Sequence, residues 1–215
     1  DRQFQNVAIN SMFLWAQSTS MPYGGFKTGR NLQLKMEDAQ YMYNRIPELQ
    51  YIAPRNARGI FGNAAPRVVR NNKSGDYSIY GDYPIFTKIA TKFIYDGGRF
   101  INQADIDQER KVCVIGERTQ SELFEDNENP IGGYIQISGV FFQVVGVHKY
   151  VPGGGFESDS DIFIPFTTFR KLYNTGDEVS WFALAAYDDA DILAVEEDVK
   201  TAMRSKYNVH PDDER

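Results

Sequence analysis

Residues 112 to 115, Val112-Cys113-Val114-Ile115, are an unbroken apolar run, too short for a helix and closed by Gly116. A run of that length and β-branched content reads as a strand buried on both faces, which obliges the rest of the chain to supply covering layers. The sequence that follows contains candidates: a helical segment at about 117 to 125, strands at 134 to 138 and 141 to 147 about Gly139-Val140, and a strand at 161 to 164. Strands and helices mixed at short spacing place the chain in the α+β class.

The flanking sequence extends this pattern. Met12 to Ser18 reads as a strand, and Pro22, Gly24, Gly25 and Gly29 then mark a loop. Ala39, Met42, Tyr43 and Ile46 fall on one face of a helix spanning Glu37 to Ile46 and stopped by Pro47, and Leu49 to Ala53 follows as a strand. Arg67 to Asn71 and Tyr77 to Tyr83 are expected to pair as a hairpin through the polar Asn71-Asn72-Lys73-Ser74-Gly75 segment. Pro84 is suited to start a helix carrying Ile85, Phe86, Ile89, Ala90 and Phe93, and the aromatic set Tyr77, Tyr80, Tyr83, Phe86 and Phe93 reads as core. Thr167 or Thr168 is the expected cap of a short helix with Phe169 and Leu172. Trp181 to Tyr187 is a strand. Asp188 to Tyr207 is the clearest helix, with acidic residues at its start and Arg204 and Lys206 at its end, as the helix dipole favours.

Composition narrows the function. A formal charge of −6 disfavours a general affinity for nucleic acid, which requires clustered Lys and Arg. The single cysteine, Cys113, excludes an internal disulfide and a cysteine-based metal site. No apolar run approaches the roughly 18 to 20 residues that cross a bilayer. The chain opens at Asp1 rather than a methionine, which reads as a segment cut from a longer protein.

Candidate chemistry is sparse. His148 with Ser158, Ser160 and Asp161 downstream invites a nucleophile-and-base reading, but no Gly-x-Ser-x-Gly elbow accompanies it, and His210 stands alone. Asp105, Asp107 and Glu109 share the alternate spacing of a calcium loop, yet Arg110 and Gly116 occupy the positions of its glycine and final glutamate, so Asp105 reads as a cap or turn. Gly153-Gly154-Gly155 lacks the Lys-Ser/Thr of a phosphate loop. No catalytic, cofactor or metal residue is therefore assigned. Between Glu48 and Asp76 the chain has no acidic residue while Arg55, Arg58, Arg67, Arg70 and Lys73 are basic, and solvent-facing positions are the preferred reading over an anionic partner surface. The loop from Val151 to Ser160 costs entropy to order and adds nothing to a core, so Pro152, Gly153, Gly154, Gly155 and Phe156 are the candidate partner-contact residues.

The order and separation of Gly98-Arg99-Phe100, Asp105, Val112 to Gly116, Leu123-Phe124, Asn129-Pro130-Ile131-Gly132, Ile135-Gln136-Ile137, Phe142 to Val147 and Asp161 to Pro165 resemble the periplasmic core domain of MacB-type ABC-transporter permeases. Cys113 and Gly133 are mild departures from that pattern. The resemblance implies a porter-like lobe of βαβ units at 1–98 and 167–215, with a smaller α/β lobe inserted at 99–166. It implies a non-catalytic extracytoplasmic domain of an inner-membrane protein, facing the periplasm and flanked by transmembrane helices. The implied partners are an ABC ATPase domain or subunit, a second permease copy and, in tripartite efflux, a periplasmic adaptor and outer-membrane channel. Residues 1 to 11 and 190 to 207 would be its mechanical inputs, with both termini at one end. A permease that releases lipoproteins or regulates the cell wall has the same architecture, and a standalone adhesion or sensing module is the rival of another class.

Overall fold

The strongest local signals dictate their elements directly. In the computed structural model, which describes residues 10–16, 32–60, 62–151 and 157–208, the chain runs β1 (Ser11–Trp15), β2 (Leu34–Lys35), α1 (Glu37–Arg45), β3 (Leu49–Arg58), β4 (Arg67–Arg70), β5 (Lys73–Asp76), β6 (Ile79–Asp82), α2 (Phe86–Ile89) and α3 (Gln103–Asp107). It continues through β7 (Val112–Gly116), α4 (Glu117–Leu123), β8 (Tyr134–Ile137), β9 (Val140–His148), β10 (Ile162–Pro165), α5 (Phe166–Tyr173), β11 (Glu178–Val179), β12 (Trp181–Ala186) and α6 (Ile192–Lys206). The α+β class expected from the sequence is what these elements form.

Two compact units emerge. The larger comprises Arg55–Gly176, and the smaller Ala8–Pro54 with Asp177–Arg215. These packing units divide at 54/55 and 176/177. The reason is strand pairing: β4 joins β8, and β6 runs parallel to β10, so residues 67 to 82 belong to the sheet of the middle segment.

In the larger unit the strands lie in the order β3-β6-β10-β7-β9-β8-β4-β5. All five residues of β7 are buried, as its uninterrupted apolar sequence requires. One sheet face packs Cys113, Ile115, Ile135, Ile137, Phe142, Val144, Ile162 and Ile164 against Leu123 and Phe124 at the end of α4 and Phe169 of α5. The expected pairing of residues 67–71 with 77–83 is not formed. Asn71 adopts φ 54°, and the turn it shares with Asn72 sends Lys73–Asp76 back along β4, so β5 forms from the polar segment expected to be a connector. Ser138 (φ 50°) and Gly139 (φ 82°) likewise make the β8–β9 turn one residue before the expected position.

Other local differences have identifiable causes. The helix after Pro84 lasts one turn, because residues 93 to 99 are drawn out along β9, with Tyr95 N–H bonded to Val147 O at 2.9 Å and Arg99 N–H to Val145 O at 2.9 Å. Phe93 is consequently 45% exposed rather than core. Thr167 and Thr168 do not cap α5. They lie inside it and donate to Ile106 O and Arg110 O, both at 2.7 Å, tying α5 to α3 and its exit.

The smaller unit orders its strands β1-β12-β3, with a two-stranded β11-β2 pair beside them. Trp15 and Trp181 face each other in register and stack at 4.8 Å between centroids. Helix α6 buries Val195, Val199, Ala202 and Met203 as its periodicity predicts, and starts at an Asp191 cap rather than at Asp188. The expectation for the two termini falls on residues 1–9 and 209–215, outside the described residues. Among the described ones, Asn10 is fastened before the start of α6 and Tyr207 lies at its end.

Candidate functional site

Pro152, Gly153, Gly154, Gly155 and Phe156 lie outside the described residues. What the structure provides is the pair of attachments from which that segment springs. On the near side, Glu117 at the start of α4 accepts the Tyr150 N–H at 3.0 Å and the Tyr95 hydroxyl at 2.5 Å, and these bonds hold its carboxyl below the usual range. Tyr95 and Tyr150 are both exposed, and Lys149 lies over the Tyr95 ring at 4.6 Å.

The far attachment is a buried charge cluster. Arg55 of β3, 1% exposed, makes a bidentate pair with the fully buried Asp82 of β6, at 2.6 Å from Nε and 2.9 Å from Nη2. Its Nη1 reaches Glu157 Oε1 at 2.9 Å, and Lys92 donates to the other oxygen of Glu157. The guanidinium also lies over the rings of Phe86 at 3.7 Å and Tyr80 at 4.8 Å. Burial opposes the charge on Arg55, but the Asp82 and Glu157 carboxylates outweigh it and leave the group more firmly protonated than usual. Burial would likewise raise Glu157, yet Arg55 and Lys92 prevail and lower it. Four charges from four parts of the chain thus meet in an apolar setting, where the cost of desolvation offsets much of their mutual attraction.

The turn after Glu157 is fastened just as closely. Asp161 accepts from Ser158 N at 2.8 Å and Ser158 Oγ at 3.2 Å. Arg118 N–H donates to Asp159 O at 3.0 Å, and Thr119 Oγ1 to Ser160 O at 2.6 Å. The buried His148 stands 2.6 Å from Asp161 O through Nε2, which must carry the proton because a carbonyl only accepts. His148, Ser158 and Asp161 therefore come together as fasteners of a turn. The nitrogen facing this turn is used on the backbone, so no nucleophile and base are aligned.

Burial and the neighbouring Glu157 carboxylate push Asp161 up to about 6, despite the bonds from Ser158. A raised carboxyl favours the folded state fully below the unfolded value near pH 4 and loses that contribution as pH rises through about 6. His148, lowered by burial, works oppositely, with stability lost as pH falls below about 6.5. The informative measurement is thus a difference: from pH 4 to pH 7.5, Asp161→Asn should gain about 2–3 kcal/mol relative to the unsubstituted chain. Parallel pH profiles in thermal or denaturant melts would refute this reading of Asp161.

Sequence reasoning missed the charge cluster. Of the basic residues that read as solvent-facing, Arg55 is buried and Arg58 lies over the Tyr173 ring at 5.0 Å, whereas Arg67, Arg70 and Lys73 pair with Asp76, Glu128 and Glu125. No local signal marks the cluster, because Arg55 stands beside Asn56 and Arg58 in β3 and Asp82 is the last residue of β6. Asp105 is the capping residue expected, completing a capping box with Asn102 while binding Arg99 at 2.7 Å and Arg110 at 3.3 Å. Among the described residues, no group of His, Cys, Asp and Glu is placed to hold a metal ion, and no helix is long and apolar enough to cross a membrane.

Known proteins share sequence and fold with this chain. A macrolide export ATP-binding/permease protein MacB of Syntrophobacter fumaroxidans is 30% identical over 160 residues, covering 72% of this chain and 21% of the relative. A pyoverdine export ATP-binding/permease protein PvdT of Pseudomonas syringae pv. tomato is 31% identical over 171 residues, 76% of this chain and 24% of the relative. The chain thus spans about a quarter of the length of such relatives. Among solved structures, the periplasmic region of MacB from Actinobacillus actinomycetemcomitans superposes with a TM-score of 0.73 at 20% identity, covering 94% of this chain and 86% of that one. The extracellular domain of the ABC-type transporter YknZ from Gram-positive bacteria also gives 0.73, at 14% identity, with 94% and 98% covered. Residues 2–202 match the family description itself, and the chain belongs to the MacB-like periplasmic core domains.

Proposed function

We propose that this chain is the extracytoplasmic domain of a MacB-like ABC export permease in the inner membrane, and that it couples ATP hydrolysis inside the cell to movement of a substrate or partner outside it. The family match over residues 2–202 carries the reading. The export named for the relatives favours this over lipoprotein release, cell-wall regulation or free-standing adhesion. The domain does no chemistry of its own; its partners are an ABC ATPase, a second permease copy and, in a tripartite assembly, a periplasmic adaptor and outer-membrane channel. Lobe boundaries near 98 and 167 would then mark functional divisions distinct from the packing units.

Within this reading, the segment Pro152-Gly153-Gly154-Gly155-Phe156 contacts the external partner, supported by the well-anchored residues on either side of it. Phe156→Ser is expected to leave the melting temperature of the domain within about 2 °C of the original while lowering export by the intact permease. A large stability loss would make Phe156 a packing residue, and unchanged export would remove the contact role. The coupling role itself is tested by replacing residues 10–208 of the intact permease with an inert folded domain. ATP hydrolysis should persist and export should cease; sustained export would end the proposal.

A further inference from the structure

Asp38 is fully buried at the start of α1, yet the charged and hydroxyl groups on its carboxylate come from the last turn of α6 and the residue after it. Lys206 Nζ lies 2.5 Å from Oδ1, and the Tyr207 hydroxyl donates to Oδ2 at 2.5 Å. Lys35 N–H donates to the same Oδ2 at 2.9 Å, so the carboxylate also fixes its own chain at the entry to α1. Lys206 reaches Glu37 Oε1 at 3.0 Å as well, and its ammonium lies 4.8 Å from the Tyr207 ring. The positive end of the α1 dipole thus meets the negative end of α6 with complementary charges already in place. Asp38 and Glu37 raise Lys206 even though burial alone would lower it.

The opposite end of α6 is held by another side chain. Asn10 Nδ2 donates to Tyr187 O at 2.9 Å, Asp188 O at 3.2 Å and Ala190 O at 3.3 Å, all in the turn that leads into α6. The Ala186 N–H in turn donates to Asn10 O at 2.8 Å. Asn10 and Asp38 are therefore fastened to the two ends of one helix about 22 Å long. A displacement arriving along the chain after α6 must pass Tyr207 first, and the contact waiting there is a buried carboxylate rather than a solvated ion pair that would yield readily.

We propose that Asp38 is a positioning residue for coupling: with Lys206 and Tyr207 it clamps the end of α6 to α1, so that movement of the chain beyond α6 is passed into α1 and β3 instead of being lost in fraying of the last helical turn. This rests on the coupling role proposed above and names where the smaller unit takes up the movement. The clamp is asymmetric in a useful way. Tyr207→Phe removes one hydroxyl and keeps the ring, whereas Asp38→Asn keeps the shape and removes the charge that Lys206 needs.

The test measures export and ATP hydrolysis by the intact permease carrying Asp38→Asn, Tyr207→Phe or Lys206→Met, at a temperature well below the melting point of each variant domain. Asp177→Asn, which breaks the exposed 3.7 Å pair with Lys35, is the control. Export per ATP hydrolysed is expected to fall by about fivefold or more in Asp38→Asn and Lys206→Met, less in Tyr207→Phe, and not in the control. Export and hydrolysis falling in equal proportion would show a structural role alone and overturn the proposal, as would an unchanged ratio in all three. If replacement of the whole domain also leaves export intact, the coupling role fails with it; if replacement abolishes export and the Asp38 variants do not alter the ratio, only the clamp fails.

Discussion

Asp82→Ala is expected to destabilise the domain by about 3–5 kcal/mol, the cost of breaking a buried ion pair from one side. The substitution removes both oxygens that hold Nε and Nη2 of Arg55, in a site where the guanidinium is 1% exposed and roofed by the Phe86 ring. Glu157 remains on Nη1, but it must then balance Arg55 and Lys92 together. Replacing both members of the pair, as Arg55→Met with Asp82→Leu, should restore much of the loss because no unmatched charge is left behind. Denaturant melts of the single and double variants provide the comparison. A double variant as unstable as Asp82→Ala would show that packing, not charge, dominates at this site.

The second large effect is expected at Gly116, between β7 and α4. Its backbone, at φ −73° and ψ 157°, suits any residue, so conformational preference is not the issue. A methyl group there would lie 1.9 Å from Asp159 O and 2.9 Å from Ser160 N, both backbone atoms of the turn beyond Glu157. Gly116→Ala must therefore push that turn away, breaking the bonds to Arg118 N–H and Thr119 Oγ1, at a cost of roughly 3 kcal/mol. Hydrogen exchange should rise first at the amides of Ser158, Ser160 and Asp161. Unaltered exchange there would mean that the turn yields without loss. Gly146 is constrained in the same manner, its Cβ position lying 2.2 Å from Arg99 O, so the two glycines mark where chain segments cross the sheet at backbone contact.

These sites differ in how far they could be read from sequence. Gly116 followed a visible strand and opened a visible helix, but the segment that crosses it at Asp159 is over forty residues away, and no periodicity records that approach. Asp105 was legible because a capping box is local: its partners Asn102 and Arg99 lie within six residues. The Arg55–Asp82–Glu157 cluster was illegible for the opposite reason, its members being 27 and 75 residues apart in the chain. Asp38 shows the same limit over a longer interval. Its place in the first turn of α1 followed from helical spacing, while its partners at the end of α6 and just beyond it lie 168 and 169 residues further on.

By itself, the amino-acid sequence determined the α+β class, the buried strand at 112–115, the helices starting at 37 and 117 and the long C-terminal helix, because apolar periodicity and chain-neighbour capping act within a few residues. The ordered string of short motifs also determined the family. The tertiary structure decided which strands became neighbours, pairing β4 with β8 and β6 with β10 and making β5 of a segment that reads as a connector. It also decided which charges are buried. Arg55 and Arg67 are the same residue type in the same basic stretch, yet one is sealed between Asp82 and an aromatic ring while the other sits on the rim, because burial depends on what distant chain lies opposite.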